Sequence, residues 1–297
     1  MALRIGVVGV GSLGFHHARL ARDLPGGTFV GIHDSDDERA GRVSAELGVT
    51  VHPTLESLLD AADAVIVAVP TTAHEAVAVA AAERGIHVLI EKPIAPSLSS
   101  ADAILGAARE AGALVQIGHV ERFNGALRAA EPYLDELLFV ESHRLAPFGP
   151  RGTDVAVVLD LMIHDLDLVL SLARRPVTSI SAAGIPVLTA SPDIANARLE
   201  FEGGGVANLT ASRVSMKRER KIRLFQPNGY LSLDLAAGKG EFLRLRPGMM
   251  LEPGRPAEAG SLEGLVERIE LVGDGREPLR VELESFVAAV RGEIPLK

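Results

Sequence analysis

The chain has 297 residues, 47% of them hydrophobic, a length that suggests two domains and an apolar content sufficient for two cores. Its net charge of -9 argues against nucleic acid or an anionic membrane surface as a partner, since both are held by clustered excess Lys and Arg. With no cysteine there is no disulfide framework, thiolate nucleophile or cysteine-ligated zinc, which fits a reducing cytoplasm.

Met1 to Val10 lacks the basic start and cleavage site of a signal peptide and reads as a buried first strand. No window reaches the roughly 18 to 20 uncharged apolar residues of a membrane span. The best candidate, Ala64 to Ala82, is interrupted by Pro70, His74 and Glu75, so a soluble protein is expected.

The first 120 residues alternate short apolar runs with helical patterns, as parallel βαβ units do. Strands are expected over Leu3 to Gly9, Thr28 to Asp34, Ala64 to Val69, His87 to Ile90 and Leu114 to Ile117. Helices are expected over Leu13 to Asp23, Asp36 to Leu47, Ala73 to Arg84 and Leu98 to Ala111. After Gly118 the rhythm changes to one long helical pattern, Val157 to Ala173, and a series of strand-like runs. These are Val177 to Ala183, Ile194 to Phe201, Val206 to Arg213, Lys221 to Phe225 and Tyr230 to Leu235, with Asn228-Gly229 as a hairpin turn between the last two. Pro253 to Gly264 reads as a surface loop and Leu279 to Val290 as a closing helix. The fold class is α/β: an N-terminal, doubly wound parallel sheet of the Rossmann type over residues 1–119, then an α+β domain with an open, mostly antiparallel sheet over 120–297.

Gly9-Val10-Gly11-Ser12-Leu13-Gly14 follows the first strand and opens a helix. In the G-x-G-x-x-G pattern the first glycine permits the tight turn, the second lets backbone approach a pyrophosphate, and the third lets helix and strand pack closely. The pyrophosphate then sits on the helix N-terminus. Asp34 ends the second strand 20 positions after Gly14, where an acid accepts hydrogen bonds from the adenosine ribose. Ser35, Asp36 and Asp37 follow it and would repel a 2′-phosphate, while Arg39 and Arg42 are expected to pair with those acids. The cofactor is therefore expected to be NAD rather than NADP. A glycine turn in another α/β fold is the plain alternative.

Two further segments carry chemistry. Glu91-Lys92-Pro93 lies at the carboxyl end of a strand, where doubly wound folds bind ligands, and Lys92 is the only lysine in the first 216 residues. A lysine there can titrate or donate, although a solvated strand-end lysine has the same sequence. Asp160 and His164 stand at i and i+4 of the long helical pattern, so they share a face and the carboxylate can orient the imidazole as a proton acceptor. The competing reading is a structural cap or ion pair, and for Asp165 and Asp167 a structural role is at least as natural. A metal site is not expected, because no third ligand and no H-E-x-x-H pattern accompany the pair.

Together these segments resemble the glucose–fructose oxidoreductase, inositol dehydrogenase and MocA family over nearly the whole chain. The matches run in order: Gly9 to Gly14, His17-Ala18, Val69-Pro70 with His74, Glu91-Lys92-Pro93, and Asp160 to Asp167. The resemblance implies an NAD-dependent oxidoreductase acting on a secondary hydroxyl of a sugar-like substrate. It places Gly9, Gly11, Ser12, Leu13, Gly14, Asp34, Pro70, Thr71, His74, Glu91 and Lys92 at the cofactor. It further implies a cis peptide between Lys92 and Pro93, and a homodimer or homotetramer built through the C-terminal sheet. In the implied chemistry His164 takes the hydroxyl proton, Asp160 orients it, and Lys92 hydrogen-bonds the reacting oxygen.

Within the family, Gly118-His119-Val120-Glu121-Arg122-Phe123-Asn124 and Asp160 to Asp165 are similar to members of lipid A sugar metabolism that oxidise the 3-hydroxyl of UDP-N-acetylglucosamine. The basic stretch Arg213 to Arg223 could help hold a nucleotide diphosphate, or could be an exposed strand face or subunit interface. A free inositol or simple sugar is the rival substrate, and a non-catalytic NAD-binding sensor the rival class. Two departures stand out: Asp154-Val155-Ala156-Val157 occupies a place where many relatives have glycines, and the chain stops at Lys297, where relatives usually continue with another helix.

Overall fold

The apolar run after Leu3 forms β1 (Leu3–Val8), followed by α1 (Ser12–Ala21), β2 (Gly27–His33), α2 (Asp37–Leu47), α3 (Leu55–Ala61) and β3 (Ala64–Val67). Then come α4 (His74–Ala82), β4 (His87–Glu91), α5 (Leu98–Ala111) and β5 (Val115–Gly118). This is a computed structural model that describes residues 2–149, 155–246 and 264–297. The five strands are parallel, in the order β2-β1-β3-β4-β5. β3 is Ala-Val-Ile-Val and wholly buried because apolar layers cover both faces of the sheet. Ile5, Val7, Ile66 and Leu89 face one layer, and Val8, Val65, Val67, Val88 and Ile90 the other.

One helix of this unit escapes the sequence reading. α3 has only seven residues, too few for a clear helical period, and its start is a reciprocal cap in which Ser57 replaces the usual Glu or Gln. Thr54 Oγ1 accepts from the Ser57 amide at 3.1 Å, and the Thr54 amide donates to Ser57 Oγ at 3.3 Å.

The second unit, Glu121–Arg276, holds α6 (Gly125–Ala130), β6 (Phe139–Leu145), a π-helical turn over Val158–Met162, α7 (Ile163–Ala173), β7 (Val177–Ile185), β8 (Ile194–Phe201) and β9 (Val206–Ser212). β10 (Glu219–Gln226), β11 (Gly229–Asp234), β12 (Lys239–Leu245) and β13 (Val266–Val272) complete it. The sheet runs β13-β12-β11-β10-β6-β9-β8-β7 and is antiparallel except where β6 pairs with β9. One face packs on α6 and α7 through Leu127, Leu168, Val169, Leu199, Leu209, Leu224 and Leu231.

Three strands of this sheet were not expected, for a shared reason. β6 turns Ser142 and Arg144 inward together with Val140, so its buried face does not read as apolar. β12 and β13, at one edge, bury fully only Phe242 and Leu271 and otherwise carry charge. The hairpin between β10 and β11 is present, but Gln226 pairs with Gly229, so the turn residues are Pro227 and Asn228 rather than Asn228 and Gly229. Gly229 is needed for close approach instead: a Cβ there would lie 2.5 Å from the Leu243 carbonyl oxygen.

The closing helix α8 (Pro278–Val290) belongs to the first unit, which comprises Met1–Val120 and Glu277–Lys297. Leu279, Leu283, Phe286 and Val287 form a stripe that joins the core containing Ala18, Leu20 and Ala21 of α1. The boundary of 120–297 read from the sequence is corrected by this return, since an apolar stripe does not reveal which core will receive it. The loop expected over Pro253 to Gly264 lies, apart from Gly264, outside the described residues. No helix among the described residues is long and apolar enough to cross a membrane.

Candidate active site

The turn from β1 into α1 is built as its glycines require. Gly9 has φ +82°, and a Cβ on it would lie 2.8 Å from the Val69 side chain and backbone. A Cβ on Gly14 would meet the Gly9 carbonyl oxygen at 1.9 Å, so helix and strand could not close. A Cβ on Gly11 would meet nothing within 4 Å, which leaves open space above the backbone where α1 begins. α1 has no side-chain cap, so its first amides are available to an anion; Ser12 and Leu13, both exposed, supply part of that turn. Pro70 and Thr71 follow β3, beside the Val69 that touches Gly9.

Asp34 directly follows β2, is 6% exposed, and fixes the same turn. Its Oδ2 accepts from the Val10 amide at 2.7 Å and its Oδ1 from the Asp36 amide at 2.9 Å. Arg39 bridges Asp34 and Asp36, with Nη1 3.2 Å from Asp34 Oδ1 and Nη2 3.0 Å from Asp36 Oδ2. The hydrogen bond from the Arg39 amide, which also caps α2, holds the Asp36 carboxyl below its ordinary range. Arg42 lies 3.8 Å from Glu38. Arg39 thus pairs with Asp34 and Asp36 as the sequence suggested, whereas Arg42 lies beside Glu38 instead, and the residues present fit NAD. Asp34→Ser is expected to raise KM for NAD about tenfold or more, because a charged hydrogen-bond acceptor is lost. It also releases Arg39 toward a 2′-phosphate, so the kcat/KM preference for NAD over NADP should narrow; an unchanged preference would count against this role of Asp34.

β4 ends at Glu91, and the Lys92–Pro93 peptide is cis. Glu91 is buried with Oε1 2.7 Å from His17 Nε2 of α1, and its Oε2 accepts from the Lys92 amide at 3.3 Å. Its carboxylate lies against Gly118, where a Cβ would come within 3.1 Å of it. His74 is buried with Nε2 3.0 Å from the Val69 carbonyl and Nδ1 3.0 Å from the Pro93 carbonyl. In these contacts Glu91 ties the end of β4 to α1 and to the Lys92 amide, and His74 ties the Val69 carbonyl to that of Pro93. His17, which no role was assigned from sequence, anchors Glu91.

In the second unit Asp160 lies in the π-turn and His164 in the first turn of α7, both half-buried. The Ile163 amide donates to the Val158 carbonyl, the i to i+5 pattern of a π-turn. The regular helical spacing assumed for Asp160 and His164 therefore crosses a change of helix type. Arg144 of β6 reaches Asp165 with Nε–Oδ2 at 2.9 Å and Nη2–Oδ1 at 2.8 Å, and reaches Glu121 with Nη1–Oε1 at 2.9 Å. All three are buried. Burial works against the Arg144 charge, but the two carboxylates outweigh it and raise its pKa above the ordinary arginine range.

The segment entering the π-turn is held by its backbone. The Val157 amide donates to the Pro192 carbonyl at 2.9 Å, and Arg213 Nη1 donates to the Val155 carbonyl at 2.7 Å. Arg213 also donates through Nε to Asp193 at 2.7 Å. Burial raises the Asp193 carboxyl, but hydrogen bonds from the amides of Thr189, Val187 and Leu188 and from Arg213 bring it well below the usual carboxylate range. The nucleotide-binding possibility for Arg213 to Arg223 narrows accordingly: Arg213 is engaged by Asp193, Arg220 lies 3.5 Å from Glu121, and Arg223 lies 3.3 Å from Glu141. Val155 and Val157 are thus held through main-chain atoms, while Asp154 lies outside the described residues.

A glycine turn built for a pyrophosphate, an acid at the end of β2 and a lysine at the end of β4 define an NAD-binding oxidoreductase. Residues 3–119 match the oxidoreductase family with NAD-binding Rossmann fold, GFO_IDH_MocA, and residues 107–232 match the GFO/IDH/MocA C-terminal domain. The chain belongs to the Gfo/Idh/MocA oxidoreductase family. It is 36% identical over 299 aligned residues to the UDP-N-acetylglucosamine 3-dehydrogenase of Acidithiobacillus ferrooxidans, covering 99% of this chain and 90% of that one. A solved structure of that enzyme from Acidithiobacillus ferrooxidans is similar with a TM-score of 0.89 and 35% identity, covering 100% of this chain and 91% of the other. The scyllo-inositol 2-dehydrogenase of Bacillus subtilis is 30% identical over 232 residues, 72% of this chain and 68% of that protein.

Proposed function

We propose that the chain oxidises a secondary hydroxyl of a sugar nucleotide with NAD, the 3-hydroxyl of UDP-N-acetylglucosamine being the favoured substrate position. The observation that carries this reading is the likeness to the UDP-N-acetylglucosamine 3-dehydrogenase through 99% of the chain, the second unit included. Likeness to the Bacillus inositol dehydrogenase takes in 72% of the chain and supports a free polyol as the second reading.

In this reading the first-turn amides of α1 and Asp34 hold NAD, which supplies the hydride acceptor. His164 takes the hydroxyl proton as the carbon–hydrogen bond breaks, and Asp160 orients its ring. Lys92 hydrogen-bonds the reacting oxygen and stabilises charge developing there. His17, Glu91 and His74 support the Lys92 segment. Copies assemble through the second sheet, a reading supported by the edge strand β7, whose residues 178–185, Ile180 and Ile185 among them, are all exposed. A cytoplasmic setting is part of the same proposal and agrees with the absence of cysteine.

The test mixes protein, NAD and UDP-N-acetylglucosamine with an amine donor and an aminotransferase that removes the ketone, because oxidation of a secondary alcohol by NAD is uphill near neutral pH. Growth of reduced-nicotinamide absorbance with the sugar nucleotide, and none with scyllo-inositol, is expected. Turnover of the inositol alone would move the assignment to the polyol.

A further inference from the structure

The segment Glu121-Arg122-Phe123-Asn124 is left without a task by the chemistry above, yet its polar side chains are tied to the helix that carries His164. Arg122 grips Asp167 with two hydrogen bonds, Nε–Oδ2 at 2.7 Å and Nη2–Oδ1 at 2.5 Å. Glu121 receives Arg144, which itself holds Asp165 through both carboxylate oxygens. Asn124 locks the segment: its Nδ2 donates to Glu121 Oε2 and to the Leu235 carbonyl, both at 2.9 Å, and its Oδ1 accepts from the Ala126 amide at the start of α6.

The placement of the two acids on α7 gives this arrangement its meaning. At about 100° per residue, Asp165 lies about 100° round the helix from His164 in one sense, and Asp167 about 60° in the other. His164 therefore sits between two arginine-held carboxylates. Rotation of α7 about its axis in either direction strains one bidentate pair, and bidentate geometry resists such motion more than a single contact does. We propose that Arg122 and Arg144, acting through Asp167 and Asp165, are positioning residues that fix the rotation of α7 and so the direction of the His164 ring. The proposal rests on His164 being the proton acceptor.

Arg122 is the cleaner probe, because its side chain is 32% exposed and the Asp167 it would strand, 10% exposed, is less deeply buried than Asp165. Arg122→Met is expected to lower kcat about 10- to 100-fold, the scale of a misplacement of about 1 Å, with KM for NAD unchanged. Amide hydrogen exchange over Met162 to Leu166 should quicken. Arg122→Lys should recover part of kcat, and Asp167→Asn should match Arg122→Met, with the double variant no worse than either single one. A thermal melt and the NAD dissociation constant show whether each variant is folded. Wild-type kcat in folded Arg122→Met, whatever the exchange, would overturn the proposal. His164→Ala run alongside separates the two ideas: if it keeps its turnover, the proton-acceptor reading fails, whereas if it is inactive and Arg122→Met is not impaired, the positioning role alone fails.

Discussion

His164→Ala is expected to lower kcat about 100- to 10,000-fold, the range seen when a positioned general base is removed. The half-buried ring sits in the first turn of α7, immediately after the π-turn that carries Asp160. Its chemistry is separable from cofactor binding, because the glycine turn and Asp34 belong to the other unit. KM for NAD should therefore stay near the wild-type value while kcat collapses, the signature of an interaction made in the transition state only. Turnover within a few-fold of wild type would remove His164 from the role and return the Asp–His pair to a structural one.

How much of this was legible beforehand depended on whether chemistry or packing wrote the local pattern. The first unit was read almost element by element, because β3 and β4 are continuous apolar runs and α2 and α5 end at glycines of positive φ, Gly48 and Gly112. The glycine turn was legible because steric demand leaves Gly14 no alternative against the Gly9 carbonyl. In contrast, β6 is central to its sheet and was invisible, since the face it buries carries Ser142 and Arg144. A buried arginine is intelligible only with its partners, and Glu121 and Asp165 lie 23 and 21 positions away in sequence. For the same reason Asp165 and Asp167 could be seen beside His164 but not assigned a task. Glu91 and His74 were noticed by resemblance, yet the imidazole and carbonyls they bond to are announced by no spacing.

Arg144→Met is expected to destabilise the second unit by about 3–5 kcal/mol, the cost of breaking a buried ion network by removing one partner. The loss comes less from missing attraction than from what remains, since Asp165 and Glu121 are buried and would share their surroundings without the guanidinium. Tyr133 and Tyr230, both within Glu121–Arg276, are the only tyrosines in a chain with no tryptophan, so tyrosine fluorescence in a urea titration reports on this unit alone. The deficit should depend on pH in a defined sense. Burial already pushes the Asp165 carboxyl up in the intact network. Without Arg144 the folded state would bind protons more tightly than the unfolded chain, so the penalty is full above the raised folded pKa and shrinks as pH falls toward about 4. A deficit that stays constant over that range would mean that lost packing, not stranded charge, is responsible. Replacing the network together, Arg144→Met with Asp165→Leu and Glu121→Gln, should recover most of the stability, because a buried ion network is commonly neutral to exchange for apolar contacts. That variant then isolates orientation from stability: a well-folded protein whose kcat remains depressed would show that the charges serve to aim His164, and a protein restored in both would show that they serve only to hold the fold.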